Sequence, residues 1–228
     1  MAKTHIKNQL HLGQSLLAQR RLFLRSASYL PAAAAFAWAA LPGSVWAGGQ
    51  LEEPLSDSVR TALSLAVAAS STPPIPVFAD AKSQQAYQNW LSEMSARLAK
   101  RRSFMGQQER EELLQTVWYE AKRAGLEVSL VLGLITVESN FRKYAISRVG
   151  ARGFMQIMPF WSRVIGNGDP SHLFHMQTNL RFGCVILRHY LDREKGDEYM
   201  ALGRYNGSRG QPQYPNAVFG AQRLWLYS

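Results

Sequence analysis

Apolar residues recur at helical spacing along most of the chain from residue 107 onward. Leu113, Leu114, Val117 and Ala121 form one stripe, which predicts a helix of about 16 residues from Gln107 that ends near Gly125. The same pattern predicts helices over 56–69, 81–102, 128–138, from about 159, 179–192, 197–205 and 214–226. No series of alternating segments predicts a sheet, so we expect an all-α fold.

Two stretches interrupt the helical pattern. Residues 70–76 are rich in Ser and Pro and predict a linker. Residues 140–156 contain Asn140, Ser147, Gly150 and Gly153, which favour turns, and we expect an ordered loop there.

Glu138 ends the strongly apolar stretch 128–137. It follows Val131, Leu134 and Ile135 at helical spacing, so it shares the helix face that we expect to be buried. Burial and the negative end of the helix dipole both disfavour the charged form, which predicts a raised pKa and a general acid. On spacing alone, a frayed helix end with Glu138 turned to solvent is the alternative.

Two further groups follow Glu138-Ser139 in order. One is the Gly-punctuated segment 150–159, with Gln156 and Met158, and the other is the segment 204–207, with Tyr205 and Asn206. Over roughly residues 107–228 the three groups resemble the lytic transglycosylases of the SLT (soluble lytic transglycosylase) family. Phe154 stands where that family usually has Leu, and Arg204 where it usually has Ala. We expect both departures to affect groove shape more than chemistry.

The resemblance implies a lysozyme-like helical domain that cleaves the β-1,4 bond between N-acetylmuramic acid and N-acetylglucosamine in peptidoglycan. The muramyl 6-hydroxyl attacks its own anomeric carbon, no water is consumed, and a 1,6-anhydro end results. Glu138 would act first as acid and then as base, helped by the substrate's acetamido oxygen. No metal or other cofactor is implied.

The other site roles also come from the resemblance. Tyr205 would hydrogen-bond near Glu138 and hold it, and Asn206 would fix a turn or contact sugar. Ser139 is expected either to support the site or to cap the helix. Trp161 and Tyr214 are expected in the core or stacked on sugar. The residues expected to line sugar subsites are Ser147, Gln156 and Met158.

Two other functions remain open. A hydrolase like goose-type lysozyme would need a second carboxylate to activate water, and Asp169 is the nearest candidate in sequence. A peptidoglycan-binding or assembly protein without activity would not need the three motifs intact.

The N-terminus predicts an export signal. Arg20 and Arg21 precede an apolar, Ala-rich run that ends in a cleavage-like site at Ala47. The paired arginines resemble a twin-arginine signal; a Sec signal or an uncleaved anchor are the alternatives. We therefore expect a periplasmic protein without stable membrane insertion after cleavage. Its predicted parts are a signal (1–47), a helical extension with the Pro-rich linker (48–106) and the catalytic domain (107–228).

The net charge limits which partners are expected, and the cysteine count limits which covalent bonds are expected. The net charge is +10, and residues 1–47 contain five basic and no acidic residues, so about +5 remains after cleavage. That charge suits an anionic cell-wall polymer, and we find no nucleic-acid-binding motif. A secretion or wall-remodelling complex is a further expected partner. Cys184 is the sole cysteine, which excludes an intramolecular disulfide and predicts a buried, small apolar side chain.

Overall fold

The computed structural model describes residues 49–68 and 76–227, which belong to one compact unit. The helices in these ranges are α1 (Asp57–Ala68), α2 (Ala81–Arg101), α3 (Gln107–Arg123), α4 (Val128–Glu138), α5 (Phe160–Ile165), α6 (Met176–Arg193), α7 (Glu198–Asn206) and α8 (Gln213–Gln222). Two short 3-10 helices span Pro170–Phe174 and Arg223–Trp225. The predicted export signal and residues 70–75 of the predicted linker lie outside the described residues.

The all-α prediction is confirmed for the described residues, in which the only β-type pairings are two isolated bridges, Ile146–Arg152 and Arg152–Ile157. The 3-10 helix Pro170–Phe174 was not predicted. It forms because the Asp169 carboxylate accepts a hydrogen bond from the Ser171 amide at 2.8 Å and caps the turn. The last predicted helix, 214–226, divides into α8 and the 3-10 helix Arg223–Trp225.

Helix α4 is the centre of the fold. Nearly all of its residues are buried, which suits a helix that is apolar on every side. It contacts α3 and packs most extensively against α8. The close approach depends on Gly133, because a Cβ there would lie 2.8 Å from the Gln222 amide nitrogen. This packing brings α8 to the helix that ends in Glu138.

A buried ion pair joins α3 to α6. The Arg181 guanidinium donates from Nε and Nη2 to Glu120 Oε1, at 3.1 and 2.9 Å, and both side chains are at most 3% exposed. Arg123 approaches the other carboxylate oxygen at 3.3 Å. Cys184 lies on the same helix as Arg181 and is buried with a free thiol, as predicted.

No helix within residues 49–68 and 76–227 has the length and apolarity needed to cross a membrane.

Replacing Glu120 with Ala is expected to lower the free energy of unfolding by about 3–5 kcal/mol, because it leaves the Arg181 charge buried without its carboxylate. Denaturant titration measures the change. Glu112→Ala, at an exposed position of the same helix, is the matched control, with an expected effect within about 0.5 kcal/mol. Equal losses in the two variants would contradict a structural role for the pair.

Candidate active site

Glu138 is buried at the C-terminal end of α4. Its side chain is 5% exposed, so the alternative of a frayed end turned to solvent is wrong. The Tyr214 hydroxyl on α8 donates a hydrogen bond to Glu138 Oε1. The packing of α8 on α4 therefore places a neutral donor against the carboxyl group.

Two buried tyrosines lie beside this carboxyl group. Burial raises the pKa of Tyr214 well above its ordinary value, and the charge of Glu138 raises it further. The pKa of Tyr205 is raised by the same two causes, in the same order, and a hydrogen bond with Gln50 partly opposes the rise. Both hydroxyl groups therefore stay protonated and able to donate at neutral pH.

The hydrogen bond from Tyr214 to Glu138 was not expected from the sequence, which had singled out Tyr205 as the residue near Glu138. The Tyr205 hydroxyl donates to the Met155 carbonyl oxygen at 2.8 Å. The sequence left open whether Tyr214 lies in the core or stacks on sugar. In the structure Tyr214 is 1% exposed and donates to Glu138. Neither its type nor its spacing indicated this contact, which depends on how α8 packs against α4.

Side chains from three helices hold the loop segment 152–155. The Ser139 hydroxyl, at the end of α4, donates to the Phe154 carbonyl at 2.7 Å. Asn179 on α6 accepts from the Met155 amide and donates to the Arg152 carbonyl, both at 2.8 Å. Tyr205 on α7 supplies the bond to Met155 described above. The three sequence motifs thus meet at this loop, and Asn179, which the sequence did not single out, belongs with them.

The backbone next to Glu138 is unusual. Asn140, Phe141 and Gln156 have φ values of 49°, 59° and 48°, a left-handed region that non-glycine residues rarely adopt. Phe141 is held there by burial and by edge-on packing against the Trp225 ring, with centroids 5.2 Å apart. Backbone strain of this kind clusters at functional sites.

The residues expected to line sugar subsites have different surroundings. The Gln156 side chain is 2% exposed and donates to the carbonyls of Ala145 at 3.1 Å and Gly153 at 2.9 Å, so it holds the loop. The Ser147 hydroxyl accepts from the Ala151 amide at 3.1 Å and stabilises a turn. The expected residues whose side chains remain partly exposed are Ser147, Met158 and Asn206.

A residue from the N-terminal extension reaches the same loop. Gln50 is 4% exposed; its Oε1 accepts from the Met158 amide at 3.1 Å, and its Nε2 donates to the Gln156 carbonyl at 3.4 Å. Nothing in the sequence around Gln50 indicated this contact.

Asp169 lies in a different environment from Glu138. It is about half exposed, caps the 3-10 helix, and lines a cavity together with residues of α1, α5 and α6. Hydrogen bonds from Ser171 lower the pKa of this carboxyl group. Glu138 is not among the residues that line that cavity.

The described residues contain no cluster of three His, Cys, Asp or Glu side chains that could hold a metal ion. His172 and His175 stack on each other, with ring centroids 5.3 Å apart.

Comparison with known families agrees with this arrangement. The profile described as "Transglycosylase SLT domain" matches residues 115–224. This part of the chain is similar to an SLT domain throughout its length. The match includes Glu138, the loop at 152–156, Tyr205 and Tyr214. All the helices that form the site lie in the matched region or begin just before it.

Curated relatives match over the same region. The membrane-bound lytic murein transglycosylase C of Actinobacillus pleuropneumoniae is 34% identical over 105 residues, which cover 40% of this chain and 29% of that protein. The transglycosylase of Enterobacteria phage PRD1 is 31% identical over 100 residues, covering 44% of this chain and 36% of that protein. The aligned region spans only about a third of the length of these relatives.

A solved structure, an inactive mutant of the lytic transglycosylase Slt from Pseudomonas aeruginosa, aligns with a TM-score of 0.41 and 21% identity. The alignment covers 77% of this chain and 37% of that one.

Proposed function

We propose that this protein cleaves the β-1,4 bond between N-acetylmuramic acid and N-acetylglucosamine in peptidoglycan and leaves a 1,6-anhydro muramyl end. The observation that carries the proposal is a buried Glu138 at a helix end, with the Tyr214 hydroxyl donating to it, inside an SLT domain. The Actinobacillus relative named above is called a lytic murein transglycosylase, which supports the same substrate class.

One carboxyl group serves both halves of the proposed reaction. Protonated Glu138 donates its proton to the glycosidic oxygen as the bond from that oxygen to the anomeric carbon breaks. The substrate's acetamido oxygen stabilises the anomeric carbon. The Glu138 carboxylate then takes the proton of the 6-hydroxyl as its oxygen bonds to the anomeric carbon, which returns Glu138 to its starting form.

The surroundings of Glu138 suit both steps. Burial favours the neutral acid needed first. The Tyr214 hydroxyl donates a hydrogen bond that stabilises the carboxylate formed between the steps. Ser139 and Tyr205 have positioning roles in this proposal, because each donates a hydrogen bond to the backbone of the loop segment 152–155.

A hydrolase would require a second carboxylate that activates water, usually several ångströms from the acid. Asp169, the candidate from the sequence, is engaged in capping and lines another cavity. The structure therefore favours the water-free reaction over this alternative.

Product analysis tests the proposal. Mass spectrometry of digested sacculi is expected to show 1,6-anhydro muramyl ends; reducing muramic acid ends would favour the hydrolase. Glu138→Gln is expected to lower turnover at least about 100-fold, since it removes the general acid and base, while folding and sacculus binding persist. Glu112→Gln, exposed on α3, makes the same chemical change away from the site and should remain active.

Tyr214→Phe is expected to lower kcat about 10-fold to 100-fold with little change in KM, because a hydrogen bond to a charged group is lost from the catalytic carboxyl. Initial rates on soluble muropeptides measure it. Tyr87→Phe is the matched control, because the buried Tyr87 hydroxyl has no hydrogen-bond partner among the described residues and its ring packs against Phe78 and Trp118. An equal loss in Tyr87→Phe would argue for a general packing effect.

We also propose a periplasmic location reached through a twin-arginine signal, supported by the order of basic, apolar and small residues in 1–47. Replacing Arg20 and Arg21 with Lys is expected to abolish export, as measured by cell fractionation. Normal periplasmic levels of that variant would point to the Sec route. Association with a secretion or wall-remodelling complex stays a prediction.

A further inference from the structure

Residues 49–55, here called the N-terminal strap, lie directly on the motif segments of the SLT domain. The strap has no regular secondary structure, and it precedes the region matched by the SLT profile. Its Gln50 side chain is buried and hydrogen-bonds to the backbone of Gln156 and Met158. The strap therefore covers residues to which the resemblance assigns sugar binding.

The strap backbone also touches the third motif. A Cβ added to Gly207 would lie 2.1 Å from the Gly49 carbonyl oxygen, and one added to Gly49 would lie 2.5 Å from the Asn206 carbonyl oxygen. The approach is so close that nothing fits between the strap and the end of α7. A sugar that contacted Asn206 and Met158 from this side would collide with residues 49 and 50.

The Gln50 side chain carries the same hydrogen-bonding groups as the proposed substrate. Its carboxamide presents a carbonyl acceptor to the Met158 amide and an N–H donor to the Gln156 carbonyl. An N-acetyl group, carried by every sugar of a peptidoglycan strand, presents the same acceptor and the same donor. Gln50 thus satisfies backbone groups in the way that an acetamido group of the glycan would.

We propose that the strap is a built-in pseudosubstrate, which occupies part of the glycan groove and has to be displaced before a peptidoglycan strand binds. The inference rests on the proposed function, because it takes the groove to be a glycan site.

Ion pairs hold the strap in place. Glu53 pairs with Arg193 and, at 3.2 Å, with Arg204. Arg204 stands where the SLT family usually has Ala, so this departure from the motif supplies the contact that fastens the strap. Arg204 also pairs with Glu194, whose pKa is lowered to about 2 by hydrogen bonds from Arg209 and Arg204. Glu194 is therefore charged at neutral pH and helps to hold the Arg204 guanidinium.

These contacts suit a strap that opens. Leu51 is 60% exposed, so the strap buries little apolar area there. The Glu53 carboxylate is about a third exposed, and ion pairs at that exposure contribute little each. Glycan affinity is then reduced by the fraction of molecules in which the strap is closed, and weakening the closed state raises it.

The test is the binding of an N-acetylglucosamine oligomer to the purified chain by calorimetry. Glu53→Gln is expected to bind about threefold to tenfold more tightly than the unmodified protein, the effect of losing two partly exposed ion pairs. Glu52→Gln is the matched control: it removes one charge from the same strap, but its pair with Arg163, at 3.4 Å, is more exposed. It should bind like the unmodified protein.

Unchanged or weaker binding by Glu53→Gln would overturn the proposal and would make the strap a permanent wall of the groove. Raising the salt concentration should bring the oligomer affinity of the unmodified protein closer to that of Glu53→Gln, because screening weakens the same ion pairs. If the affinities of the unmodified protein and of Glu53→Gln still differ at high salt, that would also contradict the proposal that these ion pairs hold the strap closed.

A second measurement follows the strap itself. Leu51→Cys supplies a thiol at an exposed position for a fluorescent label, and Cys184 is fully buried. The anisotropy of the label is expected to fall on saturation with the oligomer, as the strap leaves. A constant value at saturation would overturn the proposal. Formation of 1,6-anhydro ends by the unmodified protein is scored separately, so failure of the strap and failure of the proposed function are distinguishable.

Discussion

The site depends on one constraint: the loop segment 152–155 is held by hydrogen bonds to buried side chains from three different helices. Ser139, Asn179 and Tyr205 each bond to its backbone, and each is at most 1% exposed. Buried backbone groups need partners, so the loop keeps its shape only while α4, α6 and α7 keep their relative positions. The residues that define the motifs are therefore tied to the packing of the whole domain.

Two buried carboxyl groups, those of Glu120 and Glu138, lie beside different kinds of side chain. Glu120 faces the Arg181 guanidinium, which stabilises its charged form and joins two helices. Glu138 receives a hydrogen bond from the neutral Tyr214 hydroxyl. A cation at bonding distance favours permanent ionisation, whereas a neutral donor leaves a carboxyl group able to exchange a proton. Glu120 thus has a cation beside it and Glu138 has a neutral hydroxyl among its contacts, in keeping with a structural role for the first and the acid and base role proposed for the second.

Local pattern was enough to predict the helices and the position of Glu138, because helical periodicity and burial are properties of short segments. The contacts that complete the site join residues far apart in the sequence. Tyr214 and Glu138 are 76 residues apart, and Gln50 and Met158 are 108 apart. Such contacts depend on which helices pack together, and periodicity does not determine that. The family resemblance pointed to Tyr205 and Asn206 as site residues, whereas the contacts of Asn179 and Tyr214 with the site could be identified only from the folded structure.

The strap gives a physical reason for Arg204, which from the motif alone was expected only to affect the shape of the groove. An arginine at position 204 places a partly buried cation beside the strap, where it would cost free energy if it had no partner. Glu53 and Glu194 both reach it, one from the strap and one from the turn after α6. Because Glu194 lies outside the strap and is also held by Arg209, Arg204 keeps this carboxylate when the strap leaves. The strap can therefore open without leaving the Arg204 guanidinium unpaired. Its release exchanges the two partly exposed ion pairs of Glu53 for solvent and breaks no fully buried pair.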